Sequence, residues 1–256
     1  MSTRHLSRLN QLFWKTDHRT NNNNNRNMNG AGPPRTRKRK KLQENETISL
    51  GRLVLQTVHS SPHIYMIDNF LTEAELLHCD SIIDKSKFAK SFVDNSESTS
   101  TEIDTQHRTS TFVSVAKQAD SKISAMERKS AELLGLSVHQ MEPLQLVRYR
   151  QDQFFGVHHD LGNLRDDGSI EMPTKQAYCK RRLATIFVYL NDVADGGCTL
   201  FPACDNLRVT PKRGRAVLFC NILKTGDADP NTIHAGEPVR GKGNVKYGLN
   251  IWACED

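Results

Sequence analysis

A chain of 256 residues with 37% hydrophobic content has room for one large folded domain or two small ones. No run approaches 18 consecutive apolar residues, and the first twenty lack the apolar centre of a secretory signal, so the expectation is a protein with no membrane anchor. The formal charge of +6 is uneven: residues 1–50 hold 11 Lys+Arg and 3 Asp+Glu, the other 206 hold 24 and 26, and the basic balance therefore describes an N-terminal appendage.

Residues 1–60 read as a disordered basic, Asn-rich tail. Its "TNNNNNRNMNGAGPPRTRKRKK" has almost nothing apolar to bury. The run Arg37 to Lys41 fits a nuclear import signal, a nucleic-acid contact or a solvated linker. A cytoplasmic or nuclear setting follows, while Arg4, Arg8 and Arg19 leave organelle import open. Order is expected from about residue 61, with a short strand at Ile64 to Ile67. Thr72 and Glu75 then form a capping box ahead of a helix bearing Leu76, Cys79 and Ile83. Asp120 caps a second helix, which carries Ile123, Met126, Leu133 and Leu134 on one face and stops at Gly135. Residues 61–142 thus read as helical support. From residue 143 the period shortens to "LQLVRY", "FFGVHHD", "RLATIFVYLND", "CTLFP", "LRVT", "RAVLFCNI" and "VKYGLNIW", the pattern of a β-sandwich or jelly-roll core over 143–256. The six cysteines form no CxxC pair and read as reduced, packed thiols.

The chemistry-bearing residues lie in that half. On a strand, His158 and Asp160 share a face and His159 points the other way. With His234 in "DPNTIHAGEPV" they make two histidines and a carboxylate, a set that suits a non-haem iron with open positions or a hydrolytic zinc. Lys246, Gly248, Asn250 and Trp252 alternate onto one face of the last strand, so a cation shares its face with an amide and an aromatic ring.

These segments, together with "IDNFLTEAE" and "HRTSTFV", resemble the prolyl 4-hydroxylase family of iron(II)- and 2-oxoglutarate-dependent dioxygenases over roughly residues 62–253. The resemblance implies a mainly β fold with flanking helices around a double-stranded β-helix (jelly-roll) core. It implies that His158, Asp160 and His234 bind Fe(II), and that Lys246 pairs with the 5-carboxylate of 2-oxoglutarate, joined there by the Tyr189 hydroxyl. Tyr149, Asn250 and Trp252 match positions lining the same pocket. The cosubstrates would be 2-oxoglutarate and O2, with L-ascorbate as reductant, and the substrate a proline-containing peptide or protein hydroxylated at C4. Nucleic acid would be reached only through the basic tail.

Departures from the family pattern stand at Asp152 for a glycine, Phe155 for a tyrosine, Val157 for a proline and Cys198 for a glutamate. The family's lysine spacing falls on Asn244. Aligning "KYGLNIW" moves it to Lys246 with a two-residue insertion in "RGKGN", Lys242 being the substitute. The polar segment 163–181 would be a lid or an idle insertion, and Arg108 and Arg150 would face a substrate groove or solvent. An oxygenase acting on nucleic acid or another side chain, and a silent jelly-roll binding module, are the competing functions.

Overall fold

The alternation in the β-rich half sorts into two antiparallel sheets that enclose a cavity. The computed structural model describes residues 3–14, 46–91, 107–171 and 181–256, with side chains in the first segment from Arg8 onward. In chain order the elements are helix α1 (Thr3–Phe13), strands β1 (Thr47–Leu50), β2 (Leu53–Ser60) and β3 (His63–Ile67), helix α2 (Glu73–Lys85), strands β4 (Ala89–Lys90) and β5 (Thr111–Val115), and helix α3 (Ser121–Leu134). There follow β6 (Leu144–Arg150), β7 (Phe155–His158), β8 (Asn163–Leu164), β9 (Ile170–Glu171), β10 (Arg182–Tyr189), β11 (Thr199–Phe201), β12 (Leu207–Val209), β13 (Ala216–Cys220), β14 (His234–Gly236) and β15 (Val245–Cys254). The major sheet runs β1-β2-β3-β13-β10-β15-β6-β5-β4 and the minor one β12-β11-β14-β7. This is the jelly-roll arrangement with helices outside it.

Period-two geometry assigns the two faces of the major sheet. Ala184, Ile186 and Val188 of β10 and Leu249, Ile251 and Ala253 of β15 join one core with Ile123 and Met126 of α3. Thr185 and Phe187 of β10 and Lys246, Asn250 and Trp252 of β15 turn the other way and line the cavity under the minor sheet. The helices form where their caps dictate. Thr72 and Glu75 exchange side-chain and backbone hydrogen bonds at the start of α2, and Asp120 accepts from the Lys122 and Ile123 amides at the start of α3. Gly135 ends α3 at φ 68°.

The structure corrects the expected boundary near residue 61. β1 and β2 pair with each other and extend the major sheet, so order is present from Thr47. Helix α1 also belongs to the fold: Leu9, Leu12 and Phe13 are buried in the outer core, and the Tyr65 hydroxyl donates to the Leu12 carbonyl. Residues 61–142 supply strands β3, β4 and β5 as well as helices, so they are part of the sheet and not only its support. The Asn-rich run, the Arg37–Lys41 run and Cys179 lie outside the described residues. Cys79, Cys204 and Cys220 are buried thiols, Cys198 is half-buried, and the buried Cys254 thiol donates to Glu142 at 3.0 Å; none of the described helices is long and apolar enough to cross a membrane.

Candidate metal centre and cosubstrate pocket

Strand register assembles the centre. β14 pairs with β7 so that His234 stands opposite His158, the last residue of β7, and Asp160 follows two residues beyond the strand's end. His158 Nε2 lies 3.6 Å from Asp160 Oδ1 and His234 Nε2 lies 3.7 Å from Asp160 Oδ2. The three ligand atoms all fall within 4.8 Å of one another. Each imidazole is oriented by its other nitrogen: His158 Nδ1 meets the Gly156 carbonyl at 2.8 Å and His234 Nδ1 meets the Thr232 carbonyl at 3.0 Å. A carbonyl can only accept, so both Nδ1 atoms carry the proton and both Nε2 lone pairs face the centre. Burial, and then the neighbouring His158, push the His234 pKa down to about 3, which keeps it the neutral ligand a metal requires.

Asp160 is fixed in the same way. Burial alone would raise its pKa, but His234, His158 and Arg182 outweigh that and hold it well below the ordinary carboxylate range. Its Oδ2 accepts from the Thr185 hydroxyl at 2.6 Å and the Trp252 indole N–H at 3.2 Å. Those two donors are cross-strand partners on β10 and β15, so a single register places both. Behind them, Asn221 donates to Thr185 at 3.0 Å, and Arg182 stacks on the Trp252 ring while pairing with Glu142. Trp252, expected in the cosubstrate pocket, does line the cavity, but its polar atom serves the metal ligand.

The cavity is lined on one side by the ligands and, among others, by Lys246. Lys246 stands opposite Tyr149 in the β15–β6 register, and its Nζ lies 5.1, 5.0 and 5.3 Å from the ring centres of Tyr149, Phe187 and Tyr189. Among the described residues it has no carboxylate within ion-pair reach. Burial lowers its pKa from 10.5 to about 7. A cation walled by three rings and open to a cavity is a receptor for an anionic group. Gly248 makes the wall possible, because a Cβ there would stand 2.3 Å from the Phe187 ring. The insertion before Lys246 is a turn with Gly241 and Gly243 at positive φ, and Lys242 within it is exposed, so Lys246 and not Lys242 enters the pocket.

Tyr149 and Asn250 line the cavity as expected, Asn250 also donating to Gln145 at 3.1 Å. Tyr189 needs a correction. It is fully buried and contributes a ring face to Lys246, but its hydroxyl meets the Val209 carbonyl at 2.8 Å and Thr199 Oγ1 at 2.7 Å. The carbonyl can only accept, so the Tyr189 proton goes there, and Thr199 becomes the hydroxyl on the cavity wall. Sequence reasoning missed Thr199, although its place two residues after Gly197 in a "GGCT" turn was the available signal.

The departures find physical places. Asp152 sits at φ 62°, the left-handed conformation where a glycine is easiest and Asp is tolerated. The Phe155 ring stacks on His158 at 3.5 Å and 11°, and Arg108 lies 4.4 Å over the Phe155 ring. Val157 and Arg150 are exposed. Cys198 is half-buried, and burial raises its thiol pKa. The expected lid starts as the hairpin β8–β9, tied by an Arg165–Glu171 ion pair, and its residues 172–180 lie outside the described residues. His159 faces away from the ligands, buried against the turn that precedes His234.

The donor set discriminates between metals and chemistries. Two neutral imidazoles and one carboxylate on one side, with a cavity on the other, fit Fe(II) with positions left for exchangeable ligands. A hydrolytic zinc site needs a further acid as general base, and Asp160 is the sole carboxylate lining the cavity among the described residues. Residues 144–254 match the 2OG-Fe(II) oxygenase superfamily. The same segment supplies all three ligands and Lys246. The chain is 35% identical over 124 residues to prolyl 4-hydroxylase subunit alpha-1 of Gallus gallus, a match covering 48% of this chain and 23% of that protein. It is 32% identical over 145 residues to prolyl 4-hydroxylase 5 of Arabidopsis thaliana, covering 50% and 46%. The chain therefore spans less than half the length of these two curated relatives. Among solved structures, the viral collagen prolyl hydroxylase of Paramecium Bursaria Chlorella virus-1 in its 2OG complex superposes with a TM-score of 0.54 at 26% identity, over 74% of this chain and 94% of that one.

Proposed function

We propose that the chain is an Fe(II)- and 2-oxoglutarate-dependent dioxygenase that hydroxylates peptidyl proline at C4, releasing succinate and CO2. The observation that carries the reading is the pairing of a His158–Asp160–His234 centre with a buried, carboxylate-free Lys246 in one cavity. When bound, Fe(II) supplies the oxidative decarboxylation of 2-oxoglutarate by O2 that drives hydroxylation of a C–H bond. Everything else falls to the protein. His158, Asp160 and His234 would hold the metal, and Lys246 with the Thr199 hydroxyl would receive the far carboxylate of the cosubstrate. Phe187, Phe219 and Trp252 keep water from the reacting side. The proline substrate is supported by the relatives' names and by no proline-reading side chain. L-ascorbate, as a reductant rescuing the metal after unproductive turnover, comes from the same likeness.

Anaerobic addition of Fe(II) and 2-oxoglutarate should produce a weak visible metal-to-ligand band, and O2 should then release succinate. His158→Ala and His234→Ala should lose both. Undiminished 2-oxoglutarate consumption in either variant would contradict the assignment.

A further inference from the structure

His159 falls outside the ligand set, yet it is 5% exposed and all its polar atoms are engaged. The Leu161 amide donates to His159 Nδ1 at 3.1 Å, so that nitrogen is unprotonated and the proton sits on Nε2. His159 Nε2–H then reaches the Asp229 carbonyl and the Thr232 hydroxyl, both at 3.1 Å. The Thr232 hydroxyl donates in turn to the Asp229 carbonyl at 2.9 Å, and the Thr232 carbonyl is the group that orients His234 Nδ1. An unbroken path therefore runs from the residue between two ligands to the third ligand 75 positions later.

The path matters because the strand pairing that holds the ligands is short. β14 has three residues and β7 four, and their register is irregular between His234 and Gly236. The turn Pro230–Thr232 that feeds His234 is also held by its own Asp229 cap, by the Asp229 amide donating to the Asn221 carbonyl at 3.0 Å and by a Cys204 thiol contact to Asn231 at 3.3 Å.

We infer that His159 is a positioning residue that sets the His234 imidazole through the Asp229–Thr232 turn, and so tunes metal affinity without touching the metal. The inference rests on the metal-centre reading above. Outer hydrogen-bond partners of this kind change affinity about 10- to 100-fold when removed.

The test uses the full chain and Co(II) as a redox-stable probe, followed by quenching of tryptophan fluorescence; Trp252 lies 3.2 Å from Asp160. His159→Phe keeps a planar, slightly larger ring and removes all three hydrogen bonds of the imidazole; it should bind Co(II) about 10- to 100-fold more weakly. His159→Gln, which returns an amide N–H to the place of Nε2–H, should recover most of that loss. Thermal unfolding without metal should not rank the variants in the same order as Co(II) affinity. Wild-type affinity in a folded His159→Phe protein overturns the inference and leaves the metal centre standing. No Co(II) binding by the wild type overturns both. If His159→Phe does not fold, Thr232→Val carries the test: a several-fold weaker affinity supports the path, and an unchanged one refutes it.

Discussion

A lysine buried among rings costs the free protein stability, and Lys246 is retained at 1% exposure with no carboxylate ion pair among the described residues. With its pKa lowered to about 7, the folded chain sheds a proton that the unfolded chain keeps up to about 10.5. The unfolded state thus binds more protons between those values, and stability without cosubstrate should rise as pH increases from 7, the full penalty being present below 7. A bound carboxylate favours the charged form, so binding of 2-oxoglutarate at pH 8 should take up close to one proton and at pH 6 almost none. Calorimetry in buffers of different ionisation enthalpy reads this directly, and equal uptake at both values would refute it. Lys246→Met should stabilise the metal-free protein by about 1–4 kcal/mol while weakening 2-oxoglutarate about 10- to 100-fold. Loss of stability together with retained binding would place the cosubstrate elsewhere.

Elements were legible where local chemistry defines them. Thr72 with Glu75, and Asp120 with Gly135, announce α2 and α3 because a cap satisfies backbone groups within a few residues. The strands that carry His158 and Lys246 are marked as short β-rich runs in the sequence. β1 and β2 were lost because Ile48, Leu50, Leu53 and Leu55 follow a strongly basic stretch, and whether they fold depends on β3 being there to pair with. The place of helix α1 is decided by residues far from it in sequence, Tyr65 and Gly135, where even a Cβ would meet Arg8 at 2.5 Å. Leu12→Ala should therefore cost about 2–5 kcal/mol in denaturant unfolding, the range for a buried leucine in a core. A change near zero would mean that α1 is not docked in solution. The Tyr189 assignment failed for a related reason: which partner a buried hydroxyl takes is set by how β11 and β12 pack over it, and the sequence alone does not show that packing.

At the scale of the molecule, function is built where the two sheets face each other. The major sheet contributes Thr185, Lys246 and Trp252, and the minor sheet contributes His158 and His234, so the centre exists only once both sheets have formed. The ligand triad was readable because period two fixes which of three adjacent polar residues share a face. The supporting shell of Thr185, Trp252 and Asn221 around Asp160, and of His159 around His234, was not. Its members are scattered from His159 to Trp252 and meet only through strand register. The central claim is tested most directly by incubating the protein with Fe(II), 2-oxoglutarate, O2 and ascorbate in the presence of proline-containing peptides and analysing the products by tandem mass spectrometry. A product heavier by one oxygen atom, localised to C4 of proline and formed with succinate, is the predicted result. Succinate release with the oxygen on another residue would keep the oxygenase and replace its substrate; no succinate from metal-loaded, folded protein would contradict the account.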